Sequence, residues 1–533
     1  MFKENFKNLK KLGVDTQSFE ILRRYDYLYI DKTENIWNLI NNGRIYFLSR
    51  PRRFGKSLLV STLKELFKGN KELFKGLYIY DKWNWNKTYP VIQLSMSELT
   101  SETPDELKED ILVMIENIAE EKDIGLSEKG SYLIKFGQLI RTLSKISGSN
   151  VVILIDEYDK PITDNINNID LAINIRKILQ KFYGALKDVD EYIEFVFITG
   201  VSKFSKTSIF SGLNNLNDIS LSNDYSTICG YTKDEFKRYF KDYLEIYCKN
   251  HGEESVESLI EAVDDWYDGY SWDGKNFVYN PYSILNLFTE NIFDNYWFES
   301  GTPTFLLKLI EEKGNIEEDL LKPQVVNSSA FSSFKLKNLN LTSVLMQTGY
   351  LTIKKRKEFD RTYEYTLDIP NNEVKESLFT HILSMYTKRD DDEIIAIKHK
   401  MVRQIINLDN VGFNNNLSEL LVEIPNLLHQ NADDSYYHSI FIAWLSALRF
   451  RIDSEVLTND GRIDSVLETE HFIAICEIKH DENLSHNILI KEALDQIKDK
   501  EYYMKYLKRD KRIIFLAIAF HDKKVKTAIE ELH

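Results

Sequence analysis

The stretch Phe47-Leu-Ser-Arg-Pro-Arg-Arg-Phe-Gly-Lys-Ser57 decides how the first part of this chain folds. The apolar run 45–49 before it predicts a buried parallel strand, and the apolar spacing over 57–67 predicts a helix. A Gly-Lys-Ser turn between a strand and a helix is typical of a phosphate-binding loop, because backbone N–H groups and the helix dipole attract anions. The stretch therefore predicts a site for a nucleoside triphosphate.

The loop residues have distinct expected roles. Gly55 lets the backbone approach a phosphate, and Lys56 supplies a positive charge to the β- and γ-phosphates. Ser57 offers its hydroxyl to Mg²⁺. These residues predict ATP and Mg²⁺ as ligands.

The loop also departs from the usual Gly-x-x-x-x-Gly-Lys-Ser/Thr spacing, since Arg50 stands where the first glycine is expected. Arg52, Arg53 and Phe54 complete the candidate ATP-binding set. The two arginines have alternative roles as solvated side chains or as partners of acidic residues.

Two further strands end in polar residues. The run 151–155 leads into Asp156 and Glu157, which we expect to hold the Mg²⁺ shell and to polarise the attacking water. The alternative is a strand that ends in a solvated turn. The run 193–199 ends in Thr199-Gly-Val-Ser202, where Thr199 or Ser202 either senses the γ-phosphate or caps the next turn.

Length and composition restrict the class of protein. The 533 residues exceed one hydrophobic core, so we expect two to four domains. The net charge of −15 argues against a protein that coats nucleic acid through bulk attraction. The sequence contains no apolar stretch of membrane-spanning length and no secretory signal, and its three cysteines are scattered. These features predict a cytoplasmic protein that does not bind membranes.

The order of patterns predicts an α/β fold in four parts. Residues 1–230 alternate strands at 45–49, 90–95, 151–155 and 193–199 with helices, as in a P-loop parallel sheet. Residues 231–385 form a helical and winged-helix-like middle region, and residues 386–432 a helical connector. Residues 433–533 form a separate α/β domain. Within the middle region, 341–367 indicates a helix followed by a hairpin, and its unremarkable charge favours a lid or relay over a DNA reader.

The last hundred residues carry a second set of charged residues. Asp464 and Glu477 lie on two apolar strands that we expect to pair as a hairpin, which brings the carboxylates together. Two oxygen ligands at strand ends suit Mg²⁺ or Mn²⁺. Lys479 shares a face of the strand with Glu477 and would assist attack on a phosphodiester. The alternative is a cross-strand ion pair.

Two residues near this set are candidates for contact with nucleic acid. Gln496 lies on the helix that follows the strands, and contact with the carboxylate site itself is the alternative. His438 lies on a helix predicted at 436–448, where packing or capping is the alternative. Between Lys491 and Lys526 there are 11 Lys or Arg against 6 Asp or Glu, which favours a path for phosphates.

The chain resembles bacterial AAA-ATPase-like proteins that carry a C-terminal PD-(D/E)XK nuclease domain. The shared phrases run through nearly the whole chain: Tyr29-Ile-Asp-Lys-Thr33, Ser49-Arg-Pro-Arg-Arg-Phe-Gly-Lys-Ser57, Asp156-Glu-Tyr-Asp-Lys-Pro161, Thr199-Gly-Val-Ser-Lys-Phe204, Ser208-Ile-Phe-Ser-Gly-Leu-Asn-Asn215, Tyr267-Asp-Gly-Tyr270, Asn280-Pro-Tyr-Ser283, Ser300-Gly-Thr-Pro303, and Gly461-Arg-Ile-Asp464 with Glu477-Ile-Lys479. Arg50 then reads as a family trait.

The resemblance implies a P-loop ATPase joined to a restriction-endonuclease-like domain. We expect a nucleotide cycle that controls a metal-dependent nuclease acting on nucleic acid, with DNA as the favoured substrate. The alternative is an ATP-dependent switch whose nuclease-like domain does not cleave. A homo-oligomer is left open.

Overall fold

A computed structural model describes most of the chain, with gaps. The described residues are 9–99, 102–203, 209–210, 212–213, 215–252, 255–299, 306, 309–310, 323–331, 339–423, 451–458, 461–469, 472–481, 483–507, 509, 511–521 and 524–532. For 451–458 and 461–464 only the backbone is described. The chain divides into two compact units: Met1–Leu306 with Gln324–Asn371, and Leu307–Pro323 with Asn372–His533.

The first unit contains a five-stranded sheet whose pairings are all parallel. Its strands are β1 Ile45–Ser49, β2 Val91–Ser95, β3 Val151–Asp156, β4 Ile193–Gly200 and β5 Asn217–Asp218. The order across the sheet is β2-β3-β4-β1-β5. The parallel sheet predicted from the sequence is therefore confirmed, and β4 separates the loop strand β1 from the Asp156 strand β3.

Helices surround this sheet and extend from it. They are α1 Phe19–Arg24, α2 Thr33–Asn42, α3 Lys56–Phe67, α4 Pro104–Glu121, α5 Tyr132–Ser147, α6 Lys160–Thr163, α7 Ile169–Gly184, α8 Lys233–Tyr239, α9 Lys241–His251, α10 Val256–Tyr267, α11 Pro281–Asn286, α12 Tyr296–Glu299 and α13 Leu341–Thr348. Their packing explains the strand composition, since all six residues of β3 are buried, as expected of a strand covered on both faces.

A second, three-stranded sheet belongs to the same unit. Its strands are β6 Gln324–Asn327, β7 Thr352–Phe359 and β8 Thr362–Asp368, in the antiparallel order β6-β8-β7. Helix α13 ends just before β7. The helix-then-hairpin arrangement predicted for 341–367 is therefore present.

The second unit contains a mixed five-stranded sheet. Its strands are β9 Arg451–Thr458, β10 Gly461–Glu468, β11 Phe472–His480, β12 Arg512–His521 and β13 Lys524–Glu531, and its helices are α14 Asn372–Thr387, α15 Asp391–Ile406, α16 Asn410–Glu423 and α17 His486–Asp499. The order is β13-β12-β11-β10-β9, with β11 and β12 parallel and the other pairs antiparallel. The predicted hairpin of β10 and β11 is confirmed.

The predicted fold class therefore agrees with the structure, whereas the four predicted domain bounds stay a prediction. Across the described ranges, we find no helix with the length and apolar character needed to cross a bilayer.

A close contact joins the turns after β3 and β4. The Asp159 carboxylate accepts hydrogen bonds from the backbone N–H of Val201 at 3.2 Å and of Ser202 at 2.6 Å. A Cβ at Gly200 would lie 2.3 Å from Asp159 Oδ1 and 2.5 Å from the Tyr158 ring. Glycine is therefore required at position 200 for space.

We predict that Gly200→Ala destabilises the protein by about 1–3 kcal/mol, because the added methyl group overlaps Asp159 and Tyr158. Urea unfolding followed by circular dichroism measures this loss. Gly184→Ala is the matched control, since a Cβ there has no neighbour within 4 Å. Equal stability of the two variants would contradict the steric argument.

Candidate functional site

The phosphate-binding loop joins β1 to α3 with two residues in the left-handed region. Arg53 has φ 67° and Gly55 has φ 84°. A Cβ at Gly55 would contact nothing within 4 Å. Glycine is thus favoured at position 55 for its backbone conformation, and the unobstructed space beside it is where a phosphate would approach.

The Lys56 side chain lies against the loop itself. Its Nζ donates to the carbonyl oxygens of Arg50 at 3.0 Å and Pro51 at 2.7 Å. Burial lowers the pKa of Lys56, and the nearby Asp156 carboxylate opposes that shift. The amine is therefore placed between the loop and the end of β3, and it can exchange two carbonyl acceptors for a phosphate.

Arg50 points into the protein core. The guanidinium donates from Nη1 to the carbonyl oxygens of Ser49 and Ser220, both at 2.8 Å, and from Nη2 to that of Tyr225 at 3.2 Å. It also lies 3.9 Å from the centre of the Trp272 ring. Burial lowers the pKa of Arg50 to about 10, so the group stays charged at neutral pH. Arg50 therefore fixes the start of the loop from behind.

Asp156 and Glu157 lie where β3 ends, as predicted. Asp156 Oδ1 accepts the backbone N–H of Glu157 at 3.0 Å. Glu157 has φ 52°, a conformation that is strained for a residue with a side chain. Burial, followed by the charge of Asp156, raises the pKa of the Glu157 carboxyl. A carboxylate with a raised pKa is suited to accept a proton near neutral pH.

Thr199 is the predicted γ-phosphate sensor on β4. Its Oγ1 is fully buried and has no hydrogen-bond partner among the described residues. Its carbonyl accepts the N–H of Tyr158 at 3.0 Å, which ties β4 to the turn after β3.

A cavity of about 880 Å³ adjoins the loop. Its lining includes all of Arg52, Arg53, Phe54, Gly55, Lys56 and Ser57, together with Glu157 and Ser202. Asp156 and Thr199 are not among the described residues that line it. The size is within the range of pockets for small-molecule ligands.

Three other segments that the sequence pattern did not predict also form this cavity. They are 13–17, 228–231 and the two-part stretch 281–282 with Leu285. The side chains of 228–231, 281–282 and Leu285 are apolar or aromatic and offer a surface for a base, whereas 13–17 adds the polar side chains of Asp15, Thr16 and Gln17. Residues 281–282 belong to the shared phrase Asn280-Pro-Tyr-Ser283, whereas no motif marks 13–17 or 228–231. Their proximity to the loop depends on the packing of distant parts of the chain.

Neighbouring segments of the first unit also hold the loop. Trp297 donates from Nε1 to the Arg52 carbonyl at 3.1 Å, and the Arg53 guanidinium lies 4.5 Å from the Tyr282 ring centre. A Cβ at Gly349, just after α13, would lie 2.8 Å from Pro51. The loop is therefore fixed by direct contacts from the middle region.

The fully buried Phe54 ring also points away from the site. It packs edge-on against Tyr270 and Trp272, with ring centres 4.7 and 5.3 Å away. Its contribution to a nucleotide site is thus through its backbone.

In the second unit, the register of β10 and β11 brings two acidic positions next to each other. Ser465 pairs with Cys476, so Asp464 and Glu477 come next on the two antiparallel strands. The side chain of Asp464 lies outside the described side chains. Among the described side chains, no group of three or more His, Cys, Asp or Glu could hold a metal ion.

Glu477, Lys479 and Gln496 form a connected polar group. Lys479 Nζ donates to Glu477 Oε1 at 3.1 Å and to Gln496 Oε1 at 2.6 Å. Gln496 Nε2 donates to Glu477 Oε1 and, at 3.4 Å, to the Tyr502 hydroxyl. Glu477 is only 1% exposed, and a carboxylate so buried needs partners of opposite charge. The carboxylate and the amine therefore share one small site, which suits a cation and a phosphate.

The remaining C-terminal predictions have mixed outcomes. His438 and the helix predicted at 436–448 lie outside the described residues. Several cations of the predicted basic path are in ion pairs: Lys498 with Glu530, Arg509 and Lys511 with Glu468, and Arg512 with Glu531. The local surplus of positive charge is thus partly neutralised within this unit.

The fold and sites together define a P-loop nucleotide-binding unit and a nuclease-like unit in one chain. Residues 13–210 match the family model of a predicted AAA-ATPase, and residues 432–530 match the PD-(D/E)XK nuclease superfamily. The chain belongs to the family of bacterial AAA-ATPase-like proteins with a C-terminal PD-(D/E)XK nuclease superfamily domain.

Two similar proteins are of interest. An uncharacterized protein in the vnfD 5' region of Azotobacter chroococcum mcd 1 is 35% identical over 516 residues, which is 96% of either chain. The structure of the Aeropyrum pernix ORC1 protein in complex with DNA covers 68% of this chain and 97% of its own, at 12% identity and a TM-score of 0.25. That score is too low to bear on the fold or function of this chain.

We predict that Arg50→Lys lowers stability by about 2–4 kcal/mol, because an amine cannot reproduce the guanidinium fork between three carbonyl groups. Thermal unfolding measures the loss. Nucleotide affinity, measured well below the melting temperature, should change less than about threefold, since Arg50 is not among the described residues lining the cavity. A large loss of affinity with unchanged stability would contradict this structural role.

Proposed function

We propose that the first unit binds and hydrolyses ATP with Mg²⁺. The observation that carries the proposal is the cavity lined by Lys56, Ser57 and Glu157, which holds a cation, a hydroxyl and a carboxylate of raised pKa on one surface. The membership of residues 13–210 in the AAA-ATPase-like family supports it.

The residues fit the ligand chemically. Lys56, Arg52 and Arg53 supply positive charge for the phosphates, and Gly55 leaves room for their approach. Ser57 and Asp156 supply the hydroxyl and carboxylate oxygens that Mg²⁺ prefers. When bound, Mg²⁺ neutralises the charge of the β- and γ-phosphate oxygens.

The proposed hydrolytic roles follow from position and pKa. Glu157 orients the attacking water and accepts its proton, and its neighbour Asp156 holds the metal shell. The Thr199 hydroxyl, which is buried without a hydrogen-bond partner among the described residues, is assigned to the γ-phosphate. Releasing Lys56 from the Arg50 and Pro51 carbonyls to a phosphate is the change that accompanies binding.

We predict that Glu157→Gln retains ATP binding and loses ATP hydrolysis by about 10²–10⁴-fold, since the amide accepts no proton from water. Lys56→Ala should weaken binding itself. Calorimetry and phosphate release separate the two effects, with Lys64→Ala on the same helix as the control.

The raised pKa of Glu157 also predicts how the rate of ATP hydrolysis by the wild type depends on pH. As the pH falls through the raised pKa of Glu157, the carboxylate takes up a proton, so hydrolysis should decline at a higher pH than an ordinary carboxyl would cause. Normal hydrolysis by Lys56→Ala and Glu157→Gln would contradict the proposed site.

We further propose that the second unit cleaves nucleic acid, with DNA as the substrate. Asp464 and Glu477 are the proposed ligands of Mg²⁺ or Mn²⁺, and the fit rests on the adjacent strands and the buried Glu477 carboxylate. Lys479 steadies the attacking water or the developing charge. Gln496 positions both Glu477 and Lys479 through its amide, and His438 is retained as a candidate contact to nucleic acid.

In this proposal the nucleotide cycle controls cleavage, in a cytoplasmic protein with the four domains predicted from the sequence. The rival function is an ATP-dependent switch that binds nucleic acid or another partner without cutting. Both functions share the ATPase site, so cleavage decides between them. Assembly into a homo-oligomer is part of neither proposal.

We predict that Glu477→Gln and Lys479→Ala reduce plasmid cleavage at least about 100-fold in Mg²⁺ or Mn²⁺, because each removes a group that handles the phosphodiester. Asp464→Ala should do the same, and EDTA should abolish cleavage by the wild type. The control is Lys498→Ala, whose amine pairs with Glu530 at 2.7 Å. If neither the wild type nor the control cuts while ATP is hydrolysed, the switch is the better description.

A further inference from the structure

The β7–β8 hairpin is a tight ribbon with a charged tip. Phe359 pairs with Thr362, so the connecting loop contains only Asp360 and Arg361. These two residues have φ 44° and 61°, the left-handed values expected of a two-residue hairpin turn. The ribbon therefore has a fixed register up to its last residue pair.

The register separates two faces of the ribbon. Tyr365 pairs with Arg356 and packs edge-on against Phe331, with ring centres 4.7 Å apart. The Arg356 guanidinium lies 4.7 Å from the centre of the Tyr363 ring on this same face. Because side chains alternate along a strand, Lys355, Lys357 and Phe359 lie on the opposite face.

That opposite face is open to solvent. Lys355 and Lys357 are exposed, Phe359 is 58% exposed, and Arg361 is exposed at the tip. The neighbouring strand adds Val325, which is 67% exposed and pairs with Thr366 next to Lys355. Large exposed apolar side chains beside cations are typical of an interaction surface.

Charge indicates what kind of partner suits this face. From 354 to 364 the sequence has five cations and three carboxylates, in a chain whose net charge is −15. The charge of residues 341–367 as a whole is unremarkable. The register, however, puts Lys355 and Lys357 on one face with Glu364 opposite Lys357, and Arg361 lies beyond them at the tip, so cations outnumber carboxylates on this face. A polyanion is therefore the complementary partner.

We propose that the β7–β8 hairpin binds double-stranded DNA. Lys355, Lys357 and Arg361 would contact phosphates, and a two-stranded ribbon of this kind fits the major groove. Phe359 would supply an apolar contact beside the tip. This surface belongs to the first unit, so it is distinct from the Glu477 site and requires neither ATP hydrolysis nor cleavage.

The test compares the triple variant Lys355→Ala/Lys357→Ala/Arg361→Ala with the wild type as full chains. The probe is a fluorescein-labelled DNA duplex of about 30 base pairs in EDTA, followed by fluorescence anisotropy at several salt concentrations. The matched control is Lys122→Ala/Lys145→Ala/Lys181→Ala, which removes the same charge from exposed positions of the same unit. Circular dichroism checks the folding of each variant.

We expect the hairpin variant to bind the duplex at least about tenfold more weakly than the control variant, with a salt slope smaller by about 2–3. Phe359→Ala alone should also weaken binding. Equal affinity of the hairpin and control variants would overturn the proposal, as would absent duplex binding by the wild type. A change limited to self-association, or to single-stranded RNA, would assign the face to another partner. None of these measurements requires cleavage. Failure of the DNA-binding proposal can therefore be distinguished from failure of the nuclease proposal.

Discussion

The stability of the phosphate-binding loop depends on one buried guanidinium, that of Arg50. Arg50 replaces the glycine that a phosphate-binding loop ordinarily has at this place, and its side chain turns away from the cavity to donate to three carbonyl groups. Leaving such a charge without acceptors in the core would be costly, so the loop and the segments carrying Ser220 and Tyr225 must keep these positions. Because the loop is fixed, the Arg50 carbonyl is in place to accept a hydrogen bond from Lys56, which lines the cavity.

Within the same unit, the turn after β4 and helix α13 both lie next to this loop. Asp159 holds the turn after β4 through two backbone N–H groups, and Gln347 on α13 accepts the N–H of Lys203 at 2.7 Å. The end of α13 also meets Pro51 through Gly349. Helix α13 thus contacts both the phosphate-binding loop and the turn after β4, and β7 follows it in sequence.

The sequence predicted the parts of the fold that have strong local patterns. The four predicted strands of the first sheet, the helix and hairpin at 341–367, and the β10–β11 pair are all present, because apolar runs and turn residues specify them locally. The buried position of Arg50 could not be predicted, since two of its three acceptors, the carbonyls of Ser220 and Tyr225, lie 170 and 175 residues away in sequence. The same holds for the cavity segments 13–17 and 228–231, which carry no motif. Structure that local sequence patterns specify could therefore be predicted, whereas contacts between residues distant in sequence could not.

In the second unit, too, the sequence predicted a local contact more fully than a contact that depends on tertiary packing. The spacing of Glu477 and Lys479 on one strand predicted their shared face, and their contact at 3.1 Å agrees with it. Gln496 was predicted to contact either this site or a nucleic-acid backbone, and its amide forms hydrogen bonds with both Lys479 and Glu477, which agrees with the first alternative. The position of Gln496 on a helix left both alternatives open, because the choice between them depends on how α17 packs against the sheet.

The most direct test of the central claim is a crystal structure of the full chain with Mg²⁺ and a non-hydrolysable ATP analogue. We predict triphosphate density over Gly55, with Lys56 Nζ moved from the Arg50 and Pro51 carbonyls to the β- and γ-phosphates, and Mg²⁺ beside Ser57 and Asp156. A nucleotide bound elsewhere, with Lys56 still on those carbonyls, would contradict the account.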